Sequence, residues 1–192
     1  MTCQFDPETH TYTINSRKVP SVTQILKGVL GDEPWYDEWY AGRGRAIHKA
    51  IHYLVKNRLN YDSLDERIVG QIEAFKKFLV ETGFTVLESE IMMYSDIYQF
   101  AGTADLILSN LNGNLIMADI KSSIEPKVDL QLGGYSILSN ENPHIKNYCA
   151  VGLNENGTYK MRWVDDIKTA RRVFFSCLMV YNWKRQNKME VF

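Results

Sequence analysis

Gly102-Thr-Ala-Asp-Leu-Ile-Leu-Ser-Asn-Leu-Asn-Gly-Asn-Leu-Ile-Met-Ala-Asp-Ile-Lys121 is the stretch on which the fold turns. Two apolar, β-prone runs flank Ser109 to Asn114, a segment dense in residues that tolerate turn geometry, and the pattern predicts a β-hairpin. A turn centred near Asn112 sets Asp105 directly opposite Asp119. Opposed side chains have Cβ atoms only about 5 Å apart, where two carboxylates repel unless something positive lies between them. Lys121 stands two residues beyond Asp119, and strand side chains alternate with period two, so its ammonium is expected on the face of both acids.

Both runs are apolar on both faces, with Ala104, Leu106 and Leu108 set against Ile107, and Ile116, Ala118 and Ile120 against Leu115 and Met117. Such runs read as central strands covered on two sides. Charges in mid-strand there are costly unless paired or metal-bound. Carboxylate oxygens are natural Mg²⁺ ligands, and Mg²⁺ fills its remaining positions with water and substrate phosphate. The residues therefore point to phosphodiester chemistry.

Working outward, Phe5 to Ile25 opens as a short hairpin around Asn15-Ser16, and Ser21 is placed to cap a following helix. Pro34, Trp35, Tyr36, Trp39 and Tyr40 form an aromatic cluster ahead of Arg43 and Arg45, which either packs in a core or stacks on bases. Gly44 to Leu59 reads as a helix carrying His48 and His52. Asp62 to Thr82 reads as a second, with Asp62 or Ser63 as its cap and Gly83 as its terminator. Thr85 to Tyr94 alternates as a strand with Glu88, Glu90 and Met92 on one face. Val128 to Ser139 is predicted helical, with Gln131 and Tyr135 one turn apart. Two strands, Lys146 to Leu153 and Thr158 to Val164, precede a C-terminal helix from Asp165 or Asp166, whose Lys168, Arg171, Arg172, Lys184 and Arg185 are expected mostly outside.

Composition narrows the class. The 192 residues are 45% hydrophobic and 23% charged, with no run apolar enough to span a membrane. The start has neither the basic nor the apolar part of a signal peptide, and the three cysteines are too few for a disulfide framework, so a cytoplasmic location is expected. A net charge of −1 excludes coating of nucleic acid by bulk electrostatics and leaves room for focal contacts.

These motifs together resemble the PD-(D/E)XK nuclease superfamily, in its RecB-like exonuclease branch. The resemblance rests on Gly44-x-x-x-His48, an acid on the strand before the hairpin, Gly102-x-x-Asp105, Asp119-x-Lys121 and Gln131-x-x-x-Tyr135. It implies an α/β fold with a mixed central β-sheet flanked by helices, a restriction-endonuclease-like core and an N-terminal helical elaboration. It further implies one nuclease domain over residues 1–192, divided into an N-terminal hairpin and helical part (1–83), a catalytic sheet core (84–164) and a C-terminal helix (165–192).

By the same resemblance, His48, Asp105, Asp119 and the Ile120 carbonyl bind Mg²⁺ or Mn²⁺. Lys121 is the catalytic cation. Glu90, in a Ser89-Glu90 pair, is an accessory acid, and Gln131 and Tyr135 orient substrate or lysine. Arg43, Arg45 and Lys49 are candidates to guide DNA in. Ala104 stands where the superfamily's signature has proline, and the four cysteines of an iron–sulfur cluster are missing, so no such cluster is expected. The implied activity is a DNA exonuclease acting on a free end, single-stranded DNA included, in phage or bacterial recombination or repair. A structure-specific endonuclease and a non-catalytic nucleic-acid-binding module are the alternatives.

Overall fold

A computed structural model describes residues 2–31, 38–139 and 144–189. Of the aromatic cluster, Pro34, Trp35 and Tyr36 lie outside the described residues, as do the side chains of Trp39 and Tyr40. At the centre is a five-stranded sheet in the order β4 (Thr85–Ser95), β5 (Phe100–Ser109), β6 (Leu115–Lys121), β7 (Ile145–Leu153) and β8 (Tyr159–Trp163). Pairing is antiparallel except between β6 and β7, which are parallel and joined through α4 (Val128–Leu138). The sheet is therefore mixed, as expected.

The β5–β6 hairpin has the anticipated register, with Leu106 opposite Ala118 and Leu108 opposite Ile116. Continued by one pair, that register puts Asp105 across from Asp119. Asn110 builds the turn: its Oδ1 accepts from the N–H groups of Asn112 (3.0 Å) and Asn114 (2.9 Å), and Gly113 takes the left-handed φ of 75°.

Helices cover both faces. On one side α2 (Glu38–Val55) and α3 (Val69–Thr82) bring Ile47, Ile51, Ile72, Phe75 and Phe78 against Leu106, Leu108, Ile116, Ala118 and Ile120. On the other, α1 (Val22–Leu30), α4 and α5 (Ile167–Gln186) bring Val22, Ile25, Leu132, Tyr135, Phe174 and Leu178 against Phe100, Ala104, Ile107 and Met117. Each large side chain buried in these layers contributes about 1.5–3 kcal/mol. Ala104 departs from the expected alternation. It packs in the α1–α4–α5 layer, whereas Leu106 and Leu108 face α2 and α3, so the two faces exchange by one residue at Asp105. The neighbouring strand is irregular at the same level: between the pairs Ser89–Leu106 and Ile91–Ala104 stands Glu90, opposite Asp105, with a left-handed φ of 56°, while the register shift of this ladder lies between Val86 and Glu88.

Other boundaries differ locally. Helix α2 begins at Glu38, ahead of Gly44, and ends at Val55, with Asn57 just beyond at a φ of 54°. The second expected helix starts at Val69; before it come two single 3₁₀ turns, Tyr61–Ser63 capped by Asn60 and Glu66–Ile68 capped by Asp65, which compete with an α start at Asp62. Gly83 ends α3 in the left-handed conformation as anticipated.

The N-terminal part is not purely helical. The hairpin β2 (Thr11–Ile14) and β3 (Arg17–Val19) gains an outer strand β1 (Cys3–Asp6), and Tyr12, Ile14 and Val19 pack this small sheet on Ala101. Ser21 caps α1 reciprocally with Gln24. On α5 the basic residues divide: Arg171 donates to Ser136 and Lys184 to the Gly28 carbonyl, tying the helix to α4 and α1, while Lys168, Arg172 and Arg185 are exposed.

Candidate metal and acid–lysine site

The C-terminal half of α2 places His48 toward the sheet, one residue after Ile47 and three before Ile51, which pack below it. His48 Nδ1 lies 3.1 Å from Asp105 Oδ1 and 4.0 Å from Glu90 Oε1. One ligand atom each from His48, Glu90 and Asp105 falls within 4.8 Å of the other two, the one such group among the described residues. Asp105 is pinned from behind, since its Oδ2 accepts from the Ile120 N–H at 2.6 Å. Ile120 thus positions Asp105 through its N–H, a role separate from the metal contact expected of its carbonyl.

Asp119 and Lys121 share a face as expected, and the ammonium stands 2.5 Å from Asp119 Oδ2. The acids differ in company. Asp105 meets His48 from α2, whereas Asp119 meets α4 on the opposite layer, where Gln131 Nε2 donates to Asp119 Oδ1 (3.2 Å) and to Tyr135 Oη (3.1 Å). Gly102 makes room for this arrangement: a Cβ there would lie 2.8 Å from Tyr135 Cε1 and 3.2 Å from Val22 Cγ2. The glycine of Gly-x-x-Asp and the tyrosine of Gln-x-x-x-Tyr are therefore in direct contact.

Electrostatics follow from burial. Asp119 is 1% exposed, and desolvation, helped by Asp105, pushes its pKa up to about 6 against the pull of Lys121. Its Oδ2 has no hydrogen bond beyond the ammonium contact. For Asp105 desolvation is outweighed by His48, Lys121 and the Ile120 N–H, and its pKa falls. Burial opposes the charge on His48, but Asp105 overrides it and raises the imidazole to about 9. Glu90 is raised by burial and by Asp105, and Lys121 is raised, despite burial, by both aspartates. A cation is thus held between carboxylates at His48, and a second at Lys121.

The suggested DNA contacts are dispersed. Arg43 is paired with Glu155 in the β7–β8 turn, Arg45 is exposed, and Lys49 lies 5.9 Å over the Tyr53 ring. Two positioning contacts escaped the sequence reading. His52 Nδ1 is 2.8 Å from Ser89 Oγ, tying α2 to β4 beside Glu90, and Tyr12 Oη is 2.8 Å from Thr103 Oγ1, tying the small sheet to β5. The i, i+4 spacing of His48 and His52 was the available signal for the first; the second joins residues far apart in the chain and had none.

No protein-family model matches the sequence, and no curated protein matches it. Solved structures do. A candidate exonuclease from Eubacterium rectale superposes with a TM-score of 0.54 at 12% identity, over 86% of this chain and 82% of that one, and so shares its fold. The alkaline exonuclease LHK-Exo from Laribacter hongkongensis aligns at a TM-score of 0.42 and 10% identity over 88% of this chain and 92% of that one. Its complex with dAMP aligns at 0.42 and 14% identity over 88% and 93%. Among the described residues, no helix is long and apolar enough to cross a membrane.

Proposed function

We propose that this chain is a divalent-metal-dependent DNA exonuclease whose single nuclease domain uses the site at the open end of the β5–β6 hairpin. The observation that carries the reading is the convergence of His48, Glu90 and Asp105 beside buried Asp119 and its partner, the half-buried Lys121. The exonuclease description of the E. rectale protein with the same fold supports the direction of the reading.

The residues fit a hard divalent cation. Two carboxylates, Asp105 and Glu90, already hold the positive charge of His48, whose imidazole gives up its proton when it ligates a metal, and Asp119 Oδ2 is a buried oxygen with capacity to spare. His48, Glu90 and Asp105 would hold the ion, with Asp119 and the Ile120 carbonyl completing the donor set. When bound, Mg²⁺ or Mn²⁺ polarises the scissile phosphate and lowers the pKa of a coordinated water toward neutrality.

The remaining roles belong to the chain. Lys121 keeps its proton, because both aspartates stabilise the ammonium, so it serves as a fixed cation against charge developing on the phosphate. Gln131, held by Tyr135, orients Asp119 and through it Lys121. Arg45 and Lys49, exposed on α2 three residues before and one after His48, would meet a phosphate backbone that approaches it.

The test is cleavage of end-labelled linear and closed circular DNA, single- and double-stranded, in Mg²⁺, in Mn²⁺ and in chelator, with Asp119→Ala as control. Metal-dependent loss of linear DNA alone, absent in the variant, is the expected result. Cutting of circles reassigns the protein as an endonuclease of the same fold. Binding without cutting of any substrate leaves it a nucleic-acid-binding module.

A further inference from the structure

The small N-terminal sheet borders the site with a row of aromatic rings. On its inner face Phe5 stands opposite Tyr12, with ring centroids 4.6 Å apart and planes 31° apart. His10, in the β1–β2 turn, sets its ring almost perpendicular to both, 5.2 Å from Phe5 and 6.2 Å from Tyr12. The row runs outward from Tyr12, which is 2% exposed, through half-buried Phe5 to exposed His10.

The inner end is anchored beside the site. At the inner end Tyr12 bonds Thr103, two residues before Asp105 on β5, and lies near enough to Glu90 for that carboxylate to help burial raise its pKa. At the outer end, burial lowers the His10 pKa and the charge of Arg45, three residues before His48 on α2, adds to it. The turn that presents His10 is braced, because Asp6 Oδ1 accepts from the Glu8 N–H at 2.9 Å and Thr9 Oγ1 donates to Asp6 Oδ2 at 2.7 Å. His10 itself holds a left-handed φ of 49°.

Rings beside a cation are the means by which proteins hold unpaired strands: bases stack on the aromatic faces and the cation follows the backbone. A base inside a duplex has both faces covered by its neighbours, so only an unpaired base can use such a surface. We infer that His10 and Phe5, with Arg45, form a stacking subsite for an unpaired nucleobase of a single DNA strand, adjacent to the His48–Glu90–Asp105 group. The base lies on the ring row, and Arg45 takes the phosphate between it and the site. The inference rests on the nuclease reading and adds to it how the strand is held. It is also how a chain of net charge −1 gains a focal nucleic-acid contact.

The test is the affinity of a short phosphorothioate oligothymidylate, which resists hydrolysis in Mg²⁺, for the wild type and for His10→Asn, Arg45→Gln and His10→Tyr in that ion. Asn tolerates the left-handed backbone, so His10→Asn removes the ring without displacing the turn. His10→Asn should weaken binding roughly five- to a hundredfold, the range for loss of one stacked base. His10→Tyr should restore most of it. A blunt duplex should bind both variants at position 10 as it binds the wild type. An abasic site in the oligonucleotide at the stacked position should weaken the wild type by a similar factor and His10→Asn by little more. Undiminished oligonucleotide binding by His10→Asn, or equal loss for the duplex, overturns the subsite while leaving the nuclease reading standing. Failure of the wild type to bind any DNA overturns both.

Discussion

Gly102→Ala is a small change with a calculable consequence. The added Cβ would sit 2.8 Å from Tyr135 Cε1, where ordinary carbon contacts begin near 3.5 Å, so the ring must retreat by about 0.7 Å. It has nowhere to go, because Tyr135 is 5% exposed and Val22, the second neighbour, is fully buried. Overpacking of this kind destabilises by about 1–3 kcal/mol. The functional effect is larger. Tyr135 Oη and Asp119 Oδ1 accept from one Gln131 amide at 3.1 and 3.2 Å, so a shift of that size either breaks the bond to Tyr135 or, if the amide follows the ring, the bond to Asp119. Misplacement by about an ångström at a catalytic group costs on the order of a hundredfold in turnover. Urea unfolding and single-strand cleavage rates would measure the two effects. In a Tyr135→Leu background the clash is gone and Gly102→Ala should be nearly neutral, a coupling of about 1 kcal/mol or more. Full additivity of the two substitutions, or a Gly102→Ala protein as stable as the wild type, would show that the contact does not constrain the site.

Lys121→Met and Asp119→Asn should each fold and yet lose about a hundred- to a thousandfold in cleavage, the scale of a missing electrostatic group, as gel assays of labelled DNA would show; near-normal rates would refute their roles. In chelator, stability should fall from about pH 4 to about pH 9. His48 has a folded pKa near 9 against an ordinary 6.5, so its contribution is complete below 6.5 and lost as pH rises through 9. Asp119, raised to about 6 from 3.8, adds a cost to its ionised form that grows over the same direction of pH and is complete above 6. Mn²⁺ should stabilise increasingly as pH rises, because it replaces the imidazole proton. Thermal melts of the wild type and of His48→Asn, with and without metal, would check this, and identical slopes for the two proteins would count against it. Gly44→Ala, with no described atom within 4 Å of the new Cβ, should gain up to about 1 kcal/mol of helix stability. Gly70→Ala, whose Cβ would fall 1.7 Å from the Glu155 carbonyl oxygen, should unfold at distinctly lower denaturant.

The hairpin, the two-sided sheet and the Asp119–Lys121 pair were legible because they depend on local rules: turn residues, period-two alternation and fixed strand register. Gln131 and Tyr135 were legible for the same reason, one helical turn apart and bonded as that spacing allows. What the sequence hid was non-local. Nothing in Cys3–Asp6 announces a strand, which exists because β2 offers it an edge. The 3₁₀ turns before α3 answer to Asn60 and Asp65 as caps, which prevail over an α start at Asp62 or Ser63. Arg171 looked like part of a solvent-facing basic stripe, but α4 presents Ser136 within its reach.

The exchange of faces at Asp105 explains why the site could not be assembled from a flat hairpin. On an undistorted pair of strands Asp105 and Asp119 would address the same helix layer, leaving His48 across the sheet. Glu90 takes the left-handed conformation on β4 opposite Asp105, and one residue of β5 changes sides. Asp105 then reaches His48 from the α2 layer while Asp119 keeps Gln131 from the α4 layer. Both layers converge at the strand end, where the ladder gives way to the Ile120 N–H bond to Asp105. The distortion that defeats the alternation rule also carries the carboxylate of Glu90 to the cluster. Backbone strain at a functional position is the expected place for a local rule to fail.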